Sequence, residues 1–259
     1  MYQTIGIIGG LSPESTANYY LSIVRQHFKH FGNHRYPPIK IASVCYQDYT
    51  DWRLNHQWDI IGQNLSQECT NLANAGADFV LISCNAMHKA LPFVRSPIPI
   101  LSIVDVAAAT AKSWAIDTLV LTGTQFTMTD GFLGQQLGLQ GMTVLTPDIP
   151  EQTVIERIIR TELTLGKALP ESATVFAQAV QNTMTQNEYQ SSSKSCGVLL
   201  ACTELSMLMP YFPSDLKCLD TASLHAMSAW QIATGQLLPH WQLQQDSNNE
   251  PRPGEVVIS

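Results

Sequence analysis

Cys84 and Cys202 stand 118 residues apart in matching contexts, FVLISCNAMH and GVLLACTELS. Each closes an apolar run of buried-strand type and opens what reads as an amphipathic helix. A thiol at such a junction lies near helix N–H groups, which favour its thiolate form. Its reference pKa of about 8.5 lets it begin as thiol or thiolate with modest help. Two such groups, one from each half of a repeated unit, suit a particular reaction. Taking a proton from one face of a carbon and returning one to the other face inverts a stereocentre. Opposed acid/base groups are the economical way to reach both faces.

The other four cysteines, Cys45, Cys69, Cys196 and Cys218, read as small buried apolar residues, the commonest fate of a free thiol. His88 falls four residues after Cys84, on the same face of a helix, where it either polarises the thiol or caps and packs. Glu204, two residues after Cys202, does not share its helical face. It reads as a cap of helix N–H groups, with contact to a substrate amine as the alternative. Asp105, Asp220 and His225 are assigned structural roles, and the aromatic set Tyr46, Tyr49, Trp52 and Trp58 is assigned to packing. The glycines of IGIIGGLSPES do not make a dinucleotide-binding fingerprint, and no phosphate-binding loop of the Gly-x-x-x-x-Gly-Lys-Ser/Thr type occurs. Neither a Cys-x-x-Cys pair nor a His-rich cluster points to a metal.

The elements that must position these residues alternate along the chain. Apolar runs TIGII, KIASVCY, DFVLIS, IPILSI, TLVLTG, MTVLT, CGVLLA and LKCL are separated by longer helical patterns, the signature of parallel sheets covered by helices. The first run leads through Gly9-Gly10 to Ser12-Pro13, a helix cap followed by proline at the first helical position. The order repeats: Gly10, Cys84 and Asp105 in the first half answer Gly123, Cys202 and Asp220 in the second. The Gly-to-Cys intervals are 74 and 79 residues and the Cys-to-Asp intervals 21 and 18. This predicts two pseudo-symmetric α/β domains, each a parallel sheet flanked by helices, with the active site in the cleft between them. The expected boundaries are 1–103 plus 219–241 for the first domain and 104–218 for the second. The segment TASLHAMSAWQIATG is a helix that returns to the first domain, and 242–259 reads as a polar tail without fixed structure.

Composition bounds the partners. With 14 Lys+Arg against 21 Asp+Glu and no basic run, the chain is no sequence-independent nucleic-acid binder. Its N-terminus lacks the pattern of a secretory signal, and no apolar run nears the roughly 20 residues of a membrane span. Six cysteines in 259 residues are no disulfide framework. The expectation is a reduced, soluble, cytoplasmic protein.

The motifs IGIIGGLSPEST, SCNAMH and ACTEL, together with LTGTQFTM, resemble those of the cofactor-independent aspartate/glutamate racemase superfamily, from Tyr2 to about Ala233. Cys-Thr-Glu rather than Cys-Thr-His is similar to the aspartate racemase branch. The resemblance implies a racemase that interconverts L- and D-aspartate by proton transfer between Cys84 and Cys202, with no organic cofactor or metal, as a homodimer. It also implies that Asn85, Thr124, Thr127 and Thr203 hydrogen-bond the α-carboxylate or amino group, with Glu204, Ser12 and Gln47 in the same substrate set. Helix-start N–H groups would help stabilise charge on the α-carboxylate as the carbanion develops. The individual reading of each Thr as a cap or turn residue stays open beside this.

Two departures bear on the substrate. The first motif reads Cys-Asn-Ala, so Ala86 removes a hydroxyl the family usually offers. The family's cations for the side-chain carboxylate lie on the loop after the second strand and on a helix of the second domain. Here those places hold YQDYTDWR, with Arg53, and ELTLGK, with Thr164 at the lysine position and Lys167 a turn later. Three alternatives therefore stand: a sibling racemase or isomerase for glutamate, another amino acid, or a non-amino-acid such as a hydantoin or maleate; a non-catalytic binding protein; and a thiol-redox protein.

Overall fold

The structure, a computed structural model, describes residues 1–187, 195–239, 241 and 257–258. All eight apolar runs hold strands, and these form two four-stranded sheets whose strand pairs are all parallel. The chain divides into two compact units, Met1–Val106 with Ala222–Ser259, and Ala107–Thr221. It leaves the first unit within one helix and returns at the start of another.

In the first unit the strands are β1 (Ile5–Gly9), β2 (Ile39–Ser43), β3 (Phe79–Ile82) and β4 (Ile100–Leu101), in the order β2-β1-β3-β4. β1 and β3 are buried at every position, as continuous apolar runs must be when helices cover both faces. β2, at the edge, is half exposed. Helix α1 (Pro13–Phe31) starts as the sequence predicts: the Ser12 hydroxyl accepts from Ser15 N–H, Pro13 sits at the first position, and Gly32 closes the helix at φ 66°. Its inward stripe, Ser15, Thr16, Tyr19, Ile23 and His27, keeps the spacing of one helical face. Helices α2 (Tyr46–Leu54) and α3 (Trp58–Asn74) fill the β2–β3 connection, and α4 (Ile103–Ser113) carries the chain out of the unit. The segment YQDYTDWR, expected as loop, is therefore helical.

The second unit repeats the plan. Strands β5 (Thr118–Thr122), β6 (Thr143–Leu145), β7 (Cys196–Leu200) and β8 (Cys218–Asp220) take the order β6-β5-β7-β8. Around them lie α5 (Gln125–Thr129), α6 (Phe132–Leu139), α7 (Ile149–Thr161) and α8 (Pro170–Gln186). Phe176, Ala179 and Val180 of α8 pack with Ile155, Ile158 and Ile159 of α7 over Val198 and Leu200.

Helix α9 (Thr221–Ala233) follows the second sheet in sequence, yet its buried face packs on the first. Ala226, Ala229 and Trp230 meet Ile5, Ile7, Tyr19, Ile23, Phe79 and Leu81. The small alanines let the helix approach, and Trp230 fills the space beyond them with only 1% of its surface exposed. After α9, β9 (Leu238–Pro239) pairs in parallel with β10 (Val257–Ile258). The rest of the expected tail, 242–256 and 259, lies outside the described residues.

Candidate active site

In each sheet the first strand feeds outward on one side and the third on the other. The order 2-1-3-4 thus opens a crevice beyond the C-terminal ends of strands one and three, where ligands of open α/β sheets bind. Both cysteines, Ser12, Asn85 and the threonines that the sequence singles out fall at those two ends, whereas Gln47, Arg53 and Lys167 lie elsewhere. Beyond β1 and β3 lie Gly9–Ser12 and Cys84–Asn85; beyond β5 and β7 lie Gly123–Thr127 and Cys202–Glu204.

Neither cysteine opens an α-helix. Ala86–Phe93 and Thr203–Tyr211 are 3₁₀ helices, each with a proline inside, Pro92 and Pro210. A proline lacks the N–H and collides with the carbonyl four residues back, so an α-helix cannot run through either segment. Both prolines stand eight residues after their cysteine, a repeat signal in the sequence that explains the shared geometry.

Cys84 is half-buried, and its backbone is tied on both sides. The Ser15 hydroxyl donates to Ser83 O at 3.0 Å, and the Ser83 hydroxyl to Ile8 O at 3.1 Å. His88 Nδ1 lies 2.9 Å from Cys84 O, while its Nε2 accepts from Ile103 N–H at 3.1 Å. A carbonyl can only accept, so Nδ1 carries the proton and the ring is neutral. Burial pushes the His88 pKa down to about 4, although its backbone hydrogen bonds act the other way. Both nitrogens are engaged away from the sulfur, so His88 does not polarise the thiol.

The loop before α1 is fitted just as closely. Gly10 N–H donates to the Thr16 hydroxyl at 2.8 Å, which itself donates to Ser12 O. Gly10 adopts φ +81°, and a Cβ there would stand 2.3 Å from Val44 O. Only glycine meets both demands.

Cys202 is also half-buried, and its sulfur lies 3.0 Å from Glu204 Oε2. The thiol donates to the carboxylate. Thr203 Oγ1 donates to the same oxygen at 2.9 Å. The helical-face argument fails here because Cys202 itself is extended, at φ −138° and ψ 129°, and turns its side chain toward Glu204. The carboxylate is thus a thiol partner rather than a helix cap. With its one proton committed, the Thr203 hydroxyl has only lone pairs for a ligand, which suits an ammonium rather than a carboxylate.

Thr124 caps α5: its hydroxyl accepts from Thr127 N–H at 3.3 Å and pairs with the Thr127 hydroxyl at 3.0 Å. One of their two protons serves that pair, leaving one O–H for a ligand. The sequence reading missed Glu156 on α7. Its Oε2 accepts from Gln125 N–H at 2.7 Å, pinning the first peptide of α5, and its other oxygen pairs with Arg160. No local pattern links residues 31 apart, and only the packing of α7 on α5 reveals it.

The remaining candidates are less converged. Asn85 is buried, and its carbonyl accepts from His88 N–H. Ser12 serves as the α1 cap. Gln47 is exposed on α2, with its amide on Asp51 at 2.7 Å, and Arg53 lies half-buried on the same helix. Lys167 is exposed after a turn at Gly166 that follows the end of α7. Among the other cysteines, Cys69 is buried, Cys196 and Cys218 are half-buried, and Cys45 is exposed, contrary to the core role expected of it. Burial pushes the Cys196 and Cys218 thiols up to about 11 and about 12. Among the described residues no three His, Cys, Asp or Glu side chains group as metal ligands, and no helix is long and apolar enough to cross a membrane.

Residues 8–229 match the Asp/Glu/Hydantoin racemase family. The broad specificity amino-acid racemase RacX of Bacillus subtilis is 24% identical over 232 residues, which span 86% of this chain and 95% of that protein. Among solved structures, a Yersinia pestis protein classed by its name with the Asp/Glu racemases superposes at a TM-score of 0.77 and 30% identity, covering 90% of this chain and 99% of the other. An aspartate racemase homologue from Pyrococcus horikoshii OT3 gives 0.75 and 26%, covering 90% and 100%.

Proposed function

The chain belongs to the Asp/Glu/hydantoin racemase family and is an amino-acid racemase, and we propose that it interconverts L- and D-aspartate through Cys84 and Cys202. One thiolate removes the α-proton from one face while the opposite thiol supplies a proton to the other; the reverse reaction exchanges their roles. No organic cofactor or metal enters this scheme. The observation that carries it is the 3.0 Å contact of the Cys202 sulfur with Glu204. A base in a reversible two-base reaction must exist in both protonation states. The thiol hydrogen-bonded to the carboxylate is the acid form. Passing that proton to Glu204 leaves a thiolate beside a neutral acid, which is the base form.

Asn85, the free O–H of the Thr124–Thr127 pair and Ser12 are proposed for the α-carboxylate, and Thr203 with Glu204 for the ammonium group. Charge on the α-carboxylate must be stabilised as the carbanion forms, because the Cα–H is a very weak acid. Gln47, Arg53 and Lys167 are proposed for the side-chain carboxylate. Aspartate is favoured by the Cys-Thr-Glu motif and by similarity to the Pyrococcus protein. A second reading, wider amino-acid specificity, is favoured by Ala86, which offers no hydroxyl, and by similarity to RacX. The reading takes the enzyme as a cytoplasmic homodimer acting on a small amino acid, not on nucleic acid or membrane.

The test is incubation of L-aspartate in D2O under reducing conditions without pyridoxal phosphate, followed by chiral chromatography and mass spectrometry. L-Glutamate and L-alanine run alongside. D-Aspartate carrying deuterium at Cα is the expected product. D-Products from all three amino acids favour the wider specificity, and D-product from none refutes the aspartate reading and moves the weight to a different substrate of the same fold or to a non-catalytic role.

A further inference from the structure

Two buried imidazoles in the first unit have no part in proton transfer, yet both hold the same short junction. His88 and His225 are 2% and 0% exposed, with ring centroids 5.9 Å apart at an interplanar angle of 66°. Between β4 and α4 the chain turns through Leu101, Ser102 and Ile103. His225 Nε2 donates to Leu101 O at 3.0 Å, and its Nδ1 accepts from the buried Tyr19 hydroxyl, also at 3.0 Å. His88 Nε2 accepts from Ile103 N–H on the other side of Ser102. One residue's carbonyl and the next-but-one residue's N–H are therefore held by separate rings. The far end of the His88 ring grips Cys84 O.

We propose that His88 is the positioning residue of Cys84: in its neutral Nδ1–H form it fixes the thiol's backbone to the β4–α4 junction, which His225 and Tyr19 hold from behind. The inference rests on the reading of Cys84 as an acid/base thiol, and His88 itself touches no reacting atom. The Cys84 carbonyl lies between the Ser83 carbonyl, which Ser15 already fixes, and the Asn85 carbonyl, which accepts from His88 N–H at the start of the 3₁₀ helix. With both held, the sulfur has little freedom beyond rotation about its own Cα–Cβ bond. Protonating His88 would put a second donor against Ile103 N–H and break the grip. Burial opposes this, since it pushes His88 and His225 down to about 4 and about 3. The grip thus stays intact through neutral pH.

Two variants separate the ends of the ring. His88→Asn places an amide nitrogen where Nδ1 stood and can still donate to Cys84 O. His88→Gln places an amide oxygen where Nε2 stood and serves only Ile103. A misplacement of about 1 Å at a reacting group costs roughly 100-fold in rate. His88→Gln is therefore expected to lower kcat by roughly 10- to 100-fold with KM little changed, and His88→Asn to restore most of the loss. The ratio of Cys84 to Cys202 alkylation by iodoacetamide, read by peptide mass spectrometry, should shift in His88→Gln and return in His88→Asn. Alkylation needs no substrate. A shifted ratio in a protein that racemises nothing would support the positioning role and refute the function; an unshifted ratio in an active racemase would do the reverse. On the unaltered protein, nitrogen-15 NMR of the His88 ring must show the Nδ1–H tautomer at pH 7. The Nε2–H tautomer, or a charged ring, overturns the proposal whether or not either variant folds.

Discussion

Glu204→Gln isolates what the carboxylate gives to Cys202. Both the thiol and the Thr203 hydroxyl donate to one atom, Oε2, at 3.0 and 2.9 Å. An amide oxygen in that place can accept both bonds, so the geometry survives while charge and basicity are lost. A hydrogen bond to a charged group is worth about 1.5–3 kcal/mol, against about 0.5–1.5 kcal/mol between neutral groups. The difference, about 1–1.5 kcal/mol, sets a floor of roughly 5- to 10-fold on the rate of any step that uses this contact. If Glu204 also takes the Cys202 proton, the loss of a general base adds roughly 100-fold or more. A fall in kcat of about 10- to 1000-fold is expected, with KM changed much less. Glu204→Asp keeps the charge but withdraws it by one methylene, and should also be impaired. The assay is the initial rate of aspartate racemisation by chiral chromatography, with circular dichroism to check the fold. A Glu204→Gln enzyme turning over within about twofold of the wild type would refute the thiol–carboxylate couple.

Cys84→Ser and Cys202→Ser should each abolish racemisation with the fold retained; near-normal turnover by either would sink the two-base mechanism. Gly10→Ala must accept both a positive φ and a Cβ 2.3 Å from Val44 O, whereas Gly131→Ala at φ +80° meets nothing within 4 Å. The first should cost about 3 kcal/mol or more and the second about 1 kcal/mol, read as denaturation midpoints; equal losses would remove the close-approach argument. His88 and His225 have folded pKa values of about 4 and about 3, below their ordinary 6.5. The unfolded chain therefore binds more protons, so stability is full above about pH 7 and falls as pH drops from about 6.5 toward 4 and 3. The slope should approach about 2.7 kcal/mol per pH unit for two protons. A urea midpoint that stays flat from pH 7 to pH 5 would contradict neutral burial of both rings.

The sheets were legible because a parallel strand covered on both faces must be apolar throughout, and that requirement writes itself into short runs such as FVLI and TLVLT. The place of the candidate site is legible in outline because two cysteines end corresponding strands and keep similar intervals to a glycine before and an acid after. Local sequence could not fix the side-chain partners. Assuming an α-helix after Cys202 turned Glu204 away from the sulfur, whereas the extended Cys202 before a 3₁₀ helix brings them to 3.0 Å. Spacing alone puts His88 on the face of Cys84, but Ile103, 15 residues on, takes its second nitrogen. Tyr19 and His225 are 206 residues apart, and Glu156 reaches Gln125 across 31. Secondary structure follows from the periodicity of burial, which is a property of neighbours along the chain. Hydrogen-bond partners and the protonation they impose depend on which elements pack together, and that is decided only when the chain has folded.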